Sequence, residues 1–121
     1  MGLHIKGGVN LRGMVPQIAL AIQIATDAFA EQNEDCTITS LTRDGTFAEC
    51  GFHSVGAAVD ISVAKLGGNP IEQYKVDRVL WRLETVIGRQ GGGQFDIVDE
   101  RAPGSSPGWT GAHIHIEFDP K

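Results

Sequence analysis

The segment from His113 to Phe118 reads H-I-H-I-E-F and alternates strictly between polar and apolar residues. Successive side chains of a β-strand point to opposite faces of the sheet. One face of this segment is therefore apolar and is formed by Ile114, Ile116 and Phe118. The other face carries two imidazoles and a carboxylate, from His113, His115 and Glu117. The pattern predicts a strand that covers a core with one face and presents reactive groups on the other.

A second segment, Cys50–Asp60, reads C-G-F-H-S-V-G-A-A-V-D and places His53 seven residues before Asp60. The run A-A-V-D-I-S-V over residues 57–63 also alternates, and its core face is formed by Val59, Ile61 and Val63. Asp60 then lies on the opposite face between two small residues, which leaves room beside its carboxylate. Because glycine adopts turn conformations at little cost, Gly56 allows His53 and Asp60 to converge on one point.

Two helices are predicted from apolar residues at helical spacing. The first opens at Pro16, a residue suited to the first helical turn, and its apolar face is formed by Ile18, Ala21, Ile22, Ala25 and Phe29. The second is predicted to start from an Asn69 cap, with Pro70 first inside and Glu72 completing a capping box. It is predicted to stop at Gly88, and its apolar stripe is formed by Val76, Val79, Leu80, Leu83 and Ile87.

Strands are predicted by short β-type runs at Thr37–Leu41, Ala57–Val63, Phe95–Val98 and His113–Phe118. Helices and strands mix without regular β-α-β alternation, which indicates the α+β class. We expect a single domain over residues 1–121, with an antiparallel sheet and two main helices packed against it.

The composition fits one globular domain and excludes several classes of function. The chain has 121 residues, 41% of them hydrophobic, and a formal net charge of −5 with acids and bases interspersed. It has no basic stripe, so nucleic-acid binding is disfavoured, and no apolar run approaches the roughly 20 residues of a membrane span. The N-terminal segment has no apolar stretch typical of a signal peptide, so we expect synthesis in the cytoplasm. We expect a monomer, and the pairing of Cys36 with Cys50 is left open.

Two imidazoles and one carboxylate form a ligand set suited to zinc, and our candidates are His53, Asp60 and His115. A missing fourth protein ligand leaves a position for water, which distinguishes catalytic from structural zinc. A single His-x-His strand is more often a surface pair than a metal site. The presence of both segments in one small chain, each opposite its core residues, favours a metal.

The two tryptophans are expected in different surroundings. Trp81 lies within the second predicted helix and is expected to pack in or against the core. Trp109 lies in the glycine- and proline-rich stretch Arg101–Gly111, just before His113. Since loops on a rigid scaffold often carry binding residues, Trp109 either forms one wall of a substrate cleft or folds back for burial.

The residues also resemble a known family. H-S-V-G-A-A-V-D, from His53 to Asp60, fits the H-x-x-G-x-A-x-D signature of the zinc D-alanyl-D-alanine carboxypeptidase family, and H-I-H-I-E-F fits its terminal H-x-H strand. T-S-L-T-R-D-G, from Thr39 to Gly45, is similar to a turn that precedes the signature in small phage-encoded members. The resemblance covers roughly residues 9–120. It implies the fold of lysostaphin-type and hedgehog-type zinc domains, and activity on the peptide part of peptidoglycan.

The resemblance also implies roles for individual residues. It assigns zinc to His53, Asp60 and His115, and makes His113 a catalytic residue beside the metal. Arg43 matches loosely an arginine that holds a substrate carboxylate. The chain departs from the pattern at Ala112, since some relatives carry an acid there, three residues before the last ligand, as general base.

Three function classes follow from the sequence. The first is a zinc peptidase that cuts stem peptides or cross-links of peptidoglycan, as carboxypeptidase or endopeptidase, after release from the cell or within a phage particle. The second is a zinc-binding structural or binding protein of a phage particle that has lost hydrolysis. The third is a small metal-dependent hydrolase with another substrate.

Overall fold

A computed structural model of the chain describes residues 2–104 and 111–120 and has one five-stranded sheet with three helices. The strands are β1 Leu3–Ile5, β2 Cys36–Ser40, β3 Ala58–Ser62, β4 Phe95–Glu100 and β5 His113–Phe118. The helices are α1 Pro16–Glu31, α2 Phe47–Cys50 and α3 Gln73–Val86, with 3-10 turns at Gly51–Val55 and Arg89–Gly91. The α+β class expected from the sequence is confirmed.

The sheet has the order β1-β2-β3-β5-β4 and is mixed, so the prediction of an antiparallel sheet is wrong at one edge. The pairs β2–β3, β3–β5 and β4–β5 are antiparallel, whereas β1 and β2 run parallel. The physical reason is the connection between them, because α1 carries the chain back to the starting end of the sheet, as parallel neighbours require. The sequence did not predict β1, a three-residue edge strand whose side chains are all exposed.

Helix α1 begins at Pro16 as predicted and buries the expected face, namely Ile18, Ala21, Ile22, Ala25 and Phe29. The predicted start of α3 is wrong, because the helix begins at Gln73. Asn69 lies in a turn instead, where its carbonyl accepts a hydrogen bond from the Lys65 amide at 2.7 Å. The Glu72 carboxylate binds Lys65 and Lys75, so it is not part of a capping box. No helix of the described residues is long and apolar enough to cross a membrane.

The core lies between one face of the sheet and helices α1 and α3. Five of the six strand residues assigned to the core by alternation are buried, namely Val59, Ile61, Val63, Ile114 and Ile116, and the sixth, Phe118, is partly buried and packs against them. Trp81 is 68% exposed, so the expectation that it packs against the core is wrong. It lies two residues after the buried Val79, and two positions of a helix are about 200° apart, so it points away from the core. Cys36 and Cys50 are both free thiols, the first of them fully buried.

Candidate metal centre

Asp60 is the centre of a cluster of polar groups on the sheet face opposite the core. It lies in the middle of β3, paired with His115 of β5 on one side and Ser40 of β2 on the other, and is only 5% exposed. Its Oδ1 atom is 2.7 Å from Nδ1 of His115. Cross-strand pairing thus holds two of the predicted ligands, Asp60 and His115, next to each other.

His53 reaches the same carboxylate from a 3-10 turn rather than from a strand. Its Nδ1–H donates to the carbonyl of Leu41 at 2.6 Å, because a carbonyl can only accept. This leaves Nε2, with its lone pair, facing Oδ1 of Asp60 at 3.3 Å. The turn ends at Gly56, whose φ of 70° places it in the left-handed region. A Cβ at Gly56 would lie 2.1 Å from the carbonyl oxygen of Gly13, so glycine is required there on two grounds.

One donor atom from each of His53, Asp60 and His115 lies within 4.8 Å of the others. Donors on a tetrahedral zinc ion are about 3.3 Å apart, given bonds of about 2.0–2.1 Å. The separation of 3.3 Å between His53 and Asp60 matches this value, and the shorter His115–Asp60 distance reflects their hydrogen bond. The structure therefore brings together the three predicted ligands in a group that could hold one metal ion.

His113 lies beside this group and presents a different ring atom. Its Nδ1–H donates to the carbonyl of Gly111 at 2.6 Å, so the neutral ring carries its lone pair on Nε2. Nε2 lies 3.6 Å from Oδ1 of Asp60, and the residue is 8% exposed. A buried imidazole with a lone pair beside a three-donor group is suited to exchange a proton there.

Glu100 is a residue of the cluster that the sequence did not predict. It lies directly opposite His113 across β4 and β5, is 7% exposed, and its Oε2 is 3.5 Å from Nε2 of His113. Glu100, His113 and His115 form a second set of donors close enough to share an ion. The predicted strand stopped at Val98, two residues short of Glu100, and no pattern in the sequence gives the register between two strands.

Two further residues form hydrogen bonds with the predicted ligands. Arg43 donates from one terminal nitrogen to Oδ2 of Asp60 at 3.1 Å, and its Nε donates to Oγ of Ser40 at 2.7 Å. Glu117 Oε1 lies 2.9 Å from Nε2 of His115. Such outer partners fix the orientation of a metal ligand. The resemblance implied that Arg43 holds a substrate carboxylate, and the contact of Arg43 with Asp60 was not predicted.

The pKa values of the central pair favour an ionised carboxylate. Burial would raise the pKa of Asp60, but the hydrogen bond from His115 and the imidazole of His53 next to the carboxylate outweigh it and hold that pKa well below its usual range. Burial would lower the pKa of His115, yet the hydrogen bond to Asp60 leaves it raised. The cluster therefore contains a negative charge that a metal ion would neutralise.

A cleft of about 360 Å³ opens beside Asp60 and His113. Its other lining residues are Lys6, Thr39, Ser40, Arg43, Gly111 and Ala112. The lining combines two cations with hydroxyl groups. Trp109, expected either at the cleft wall or folded back for burial, lies outside the described residues.

Comparisons of the chain with protein-family models, with curated proteins and with solved structures give no significant match. The function is therefore inferred from the residues themselves, from their geometry and from the sequence resemblance.

Proposed function

We propose that the protein is a zinc metallopeptidase that hydrolyses amide bonds in the peptide part of peptidoglycan, as a carboxypeptidase or endopeptidase. The observation that carries the proposal is the convergence of His53, Asp60 and His115, from three separate segments, beside an open cleft. Three protein ligands of these types are typical of catalytic zinc, whose fourth position takes water or substrate. The resemblance of both motifs to the zinc D-alanyl-D-alanine carboxypeptidase family supports the same ligand set.

Zinc held by His53, Asp60 and His115 would lower the pKa of a bound water to about 7 and would polarise the carbonyl to be cleaved. The remaining chemistry falls to residues of the chain. His113 Nε2 carries the lone pair in the neutral ring, because Nδ1–H is engaged by Gly111. This tautomer accepts a proton from the attacking water, and the resulting imidazolium is then able to donate to the oxyanion or the leaving amine.

The chain has no acid at position 112, where it has Ala112. Glu100, from the neighbouring strand, supplies a buried carboxylate next to His113 instead. Its Oε2 is 3.5 Å from the atom of His113 that takes the proton. A carboxylate beside a catalytic imidazole stabilises the imidazolium that forms during the reaction. We therefore assign His113 the acid–base role, with Glu100 as its partner from the neighbouring strand.

The proposed site of action follows from the substrate. Peptidoglycan lies outside the cytoplasm, so the protein acts after release from the cell or as part of a phage particle, and we propose a phage or prophage origin. Arg43 borders the cleft and binds Asp60, which positions this ligand in addition to any contact with substrate.

A second candidate function is a zinc-binding structural or binding protein of a phage particle without hydrolytic activity. The observation that favours it is Ala112, because the general base of some relatives is missing at that position. The two candidates share the metal centre and differ in whether His113 supports turnover.

Digestion of purified cell walls, followed by mass spectrometry of the released fragments, tests the proposal. The zinc-loaded protein should generate new peptide termini, and a chelator or Asp60→Ala should abolish them. Fragments identical to those of an untreated wall, from protein that holds one zinc per chain, would contradict hydrolysis and favour the structural candidate.

A further inference from the structure

Lys6 lies in the same row of the sheet as the metal ligands. It follows β1, and its amide donates to the carbonyl of Ile38 at 3.0 Å. The register pairs Ile5 with Ile38, which places Lys6 level with Thr39. The register between β2 and β3 shifts between Ile38 and Ser40, so Thr39 lies beside Asp60 together with Ser40, and its Oγ1 donates to the carbonyl of Asp60 at 3.4 Å. Residues level with one another on adjacent strands share a face, so Lys6 and Asp60 face the same side.

The distance along this row suits a short stretch of peptide. Neighbouring strands are about 4.8 Å apart, so the backbones of Lys6 and Asp60, two strands apart, are separated by about 10 Å. An extended peptide covers that distance in about three residues. The cleft of about 360 Å³ occupies this interval, and Lys6 and Asp60 both line it. An adjoining recess of about 200 Å³ extends past Lys6 to residues 7–10.

Two charged side chains that line the cleft, Asp60 and Lys6, differ in whether they have a counterion. The carboxylate of Asp60 is bound by Arg43 at 3.1 Å. Over residues 2–104 and 111–120, the ammonium group of Lys6 has no carboxylate within 4 Å. A cation that lines a cleft attracts anionic ligands to it.

We propose that Lys6 determines specificity by binding a carboxylate of the peptide substrate, within about three residues of the bond that is cut. This inference rests on the proposed peptidase function and adds to it a residue, Lys6, that selects among peptide substrates by charge. The carboxylate comes either from the free C-terminus of the peptide or from an acidic residue. The ammonium group of Lys6 and the hydroxyl of Ser40, whose oxygen already accepts from Arg43, donate the hydrogen bonds.

The test compares three synthetic pentapeptides of stem-peptide composition. One has both carboxylates, one has its C-terminus amidated, and one has its acidic residue amidated. Dissociation constants are measured by calorimetry on the full-length zinc-loaded protein, and mass spectrometry of the recovered peptide separates binding from turnover. The variants are Lys6→Met, Lys6→Arg and, as a matched loss of one positive charge on the outer face of α3, Arg78→Met.

Lys6→Met should weaken binding of the peptide with both carboxylates about tenfold, as loss of a charge-assisted hydrogen bond predicts. It should leave unchanged the binding of whichever amidated peptide lacks the recognised group, which identifies the source of the carboxylate. Lys6→Arg should retain most of the affinity, and Arg78→Met all of it. Binding by Lys6→Met as tight as wild type would overturn this inference alone. Wild-type protein that binds none of the peptides would overturn both the inference and the peptide substrate class.

Discussion

His113 and His115 share one face of β5 but meet the central carboxylate through different ring atoms. His115 presents Nδ1 at 2.7 Å from Asp60, whereas His113 presents Nε2 at 3.6 Å and donates from Nδ1 to Gly111. We expect His115→Ala to lose zinc and activity together. His113→Ala should keep its zinc and lose turnover by about 10²–10⁴-fold, as expected for a residue that transfers protons.

Zinc content and kcat on a cell-wall peptide, measured on the same samples, check this pair of variants. Zinc loss in His113→Ala with retention in His115→Ala would mean that the ligand assignment is exchanged. Full activity of His113→Ala would remove it from the mechanism and leave Glu100 as the next acid–base candidate.

Arg43 acts on Asp60 through a hydrogen bond at 3.1 Å to the oxygen that faces away from His53 and His115. We expect Arg43→Ala to weaken zinc binding by about 10–100-fold, the usual effect of removing a partner of a ligand. Competition with a chromogenic chelator measures that affinity. Arg82→Ala is a suitable control, because Arg82 lies on α3, away from the cluster, and forms an exposed ion pair with Glu31. Unchanged zinc affinity in Arg43→Ala, with a raised KM, would instead assign Arg43 to the substrate.

At the scale of elements, the 3-10 turn at Gly51–Val55 determines where His53 lies. Gly56 ends that turn with φ of 70° and approaches Gly13 so closely that a side chain does not fit. We expect Gly56→Ala to lower the free energy of unfolding by at least about 1–2 kcal/mol and to weaken zinc binding as His53 shifts. Gly67→Ala is the matched control, since a Cβ there meets nothing within 4 Å. Thermal melts of both variants with and without zinc measure the effects, and equal stability of the two would contradict this account.

The sequence predicted those elements whose apolar pattern is long or strictly alternating. The period of α1 and the alternation of β3 and β5 identified the buried faces, and with them the faces that carry His115 and Asp60. The prediction from sequence failed where a contact between residues apart in the chain determines the bounds of an element. Helix α3 starts late because residues 64 and 70 form a β-bridge that holds the preceding segment in a turn.

Contacts between residues far apart in the chain could not be predicted from the sequence, for a related reason. The Arg43–Asp60 and Glu100–His113 pairs depend on strand register and on the path of a turn, and neither is encoded in a local pattern. Asp60 and His115 were predicted on the same side of the sheet because each lies opposite a core face, and His53 was added because Gly56 allows the chain to turn towards Asp60.

At the scale of the whole molecule, the three proposed ligands come from three segments, namely the turn before β3, the strand β3 and the strand β5. A metal ion bound by all three would link these segments in the folded state alone. It should therefore raise the stability by linkage, about 2.7 kcal/mol at a free concentration one hundred times its dissociation constant. A chelator should lower the melting temperature of the wild-type protein and leave that of His115→Ala unchanged. Equal sensitivity of the two proteins would contradict a role for His115 as ligand.

The most direct test of the metal centre is elemental analysis of the pure protein after expression in zinc-supplemented medium. The geometry of His53, Asp60 and His115 predicts about one zinc per chain in the wild type and a large loss in Asp60→Ala. No stoichiometric metal in the wild-type protein, or equal zinc in both proteins, would contradict the assignment of these three residues as a metal centre.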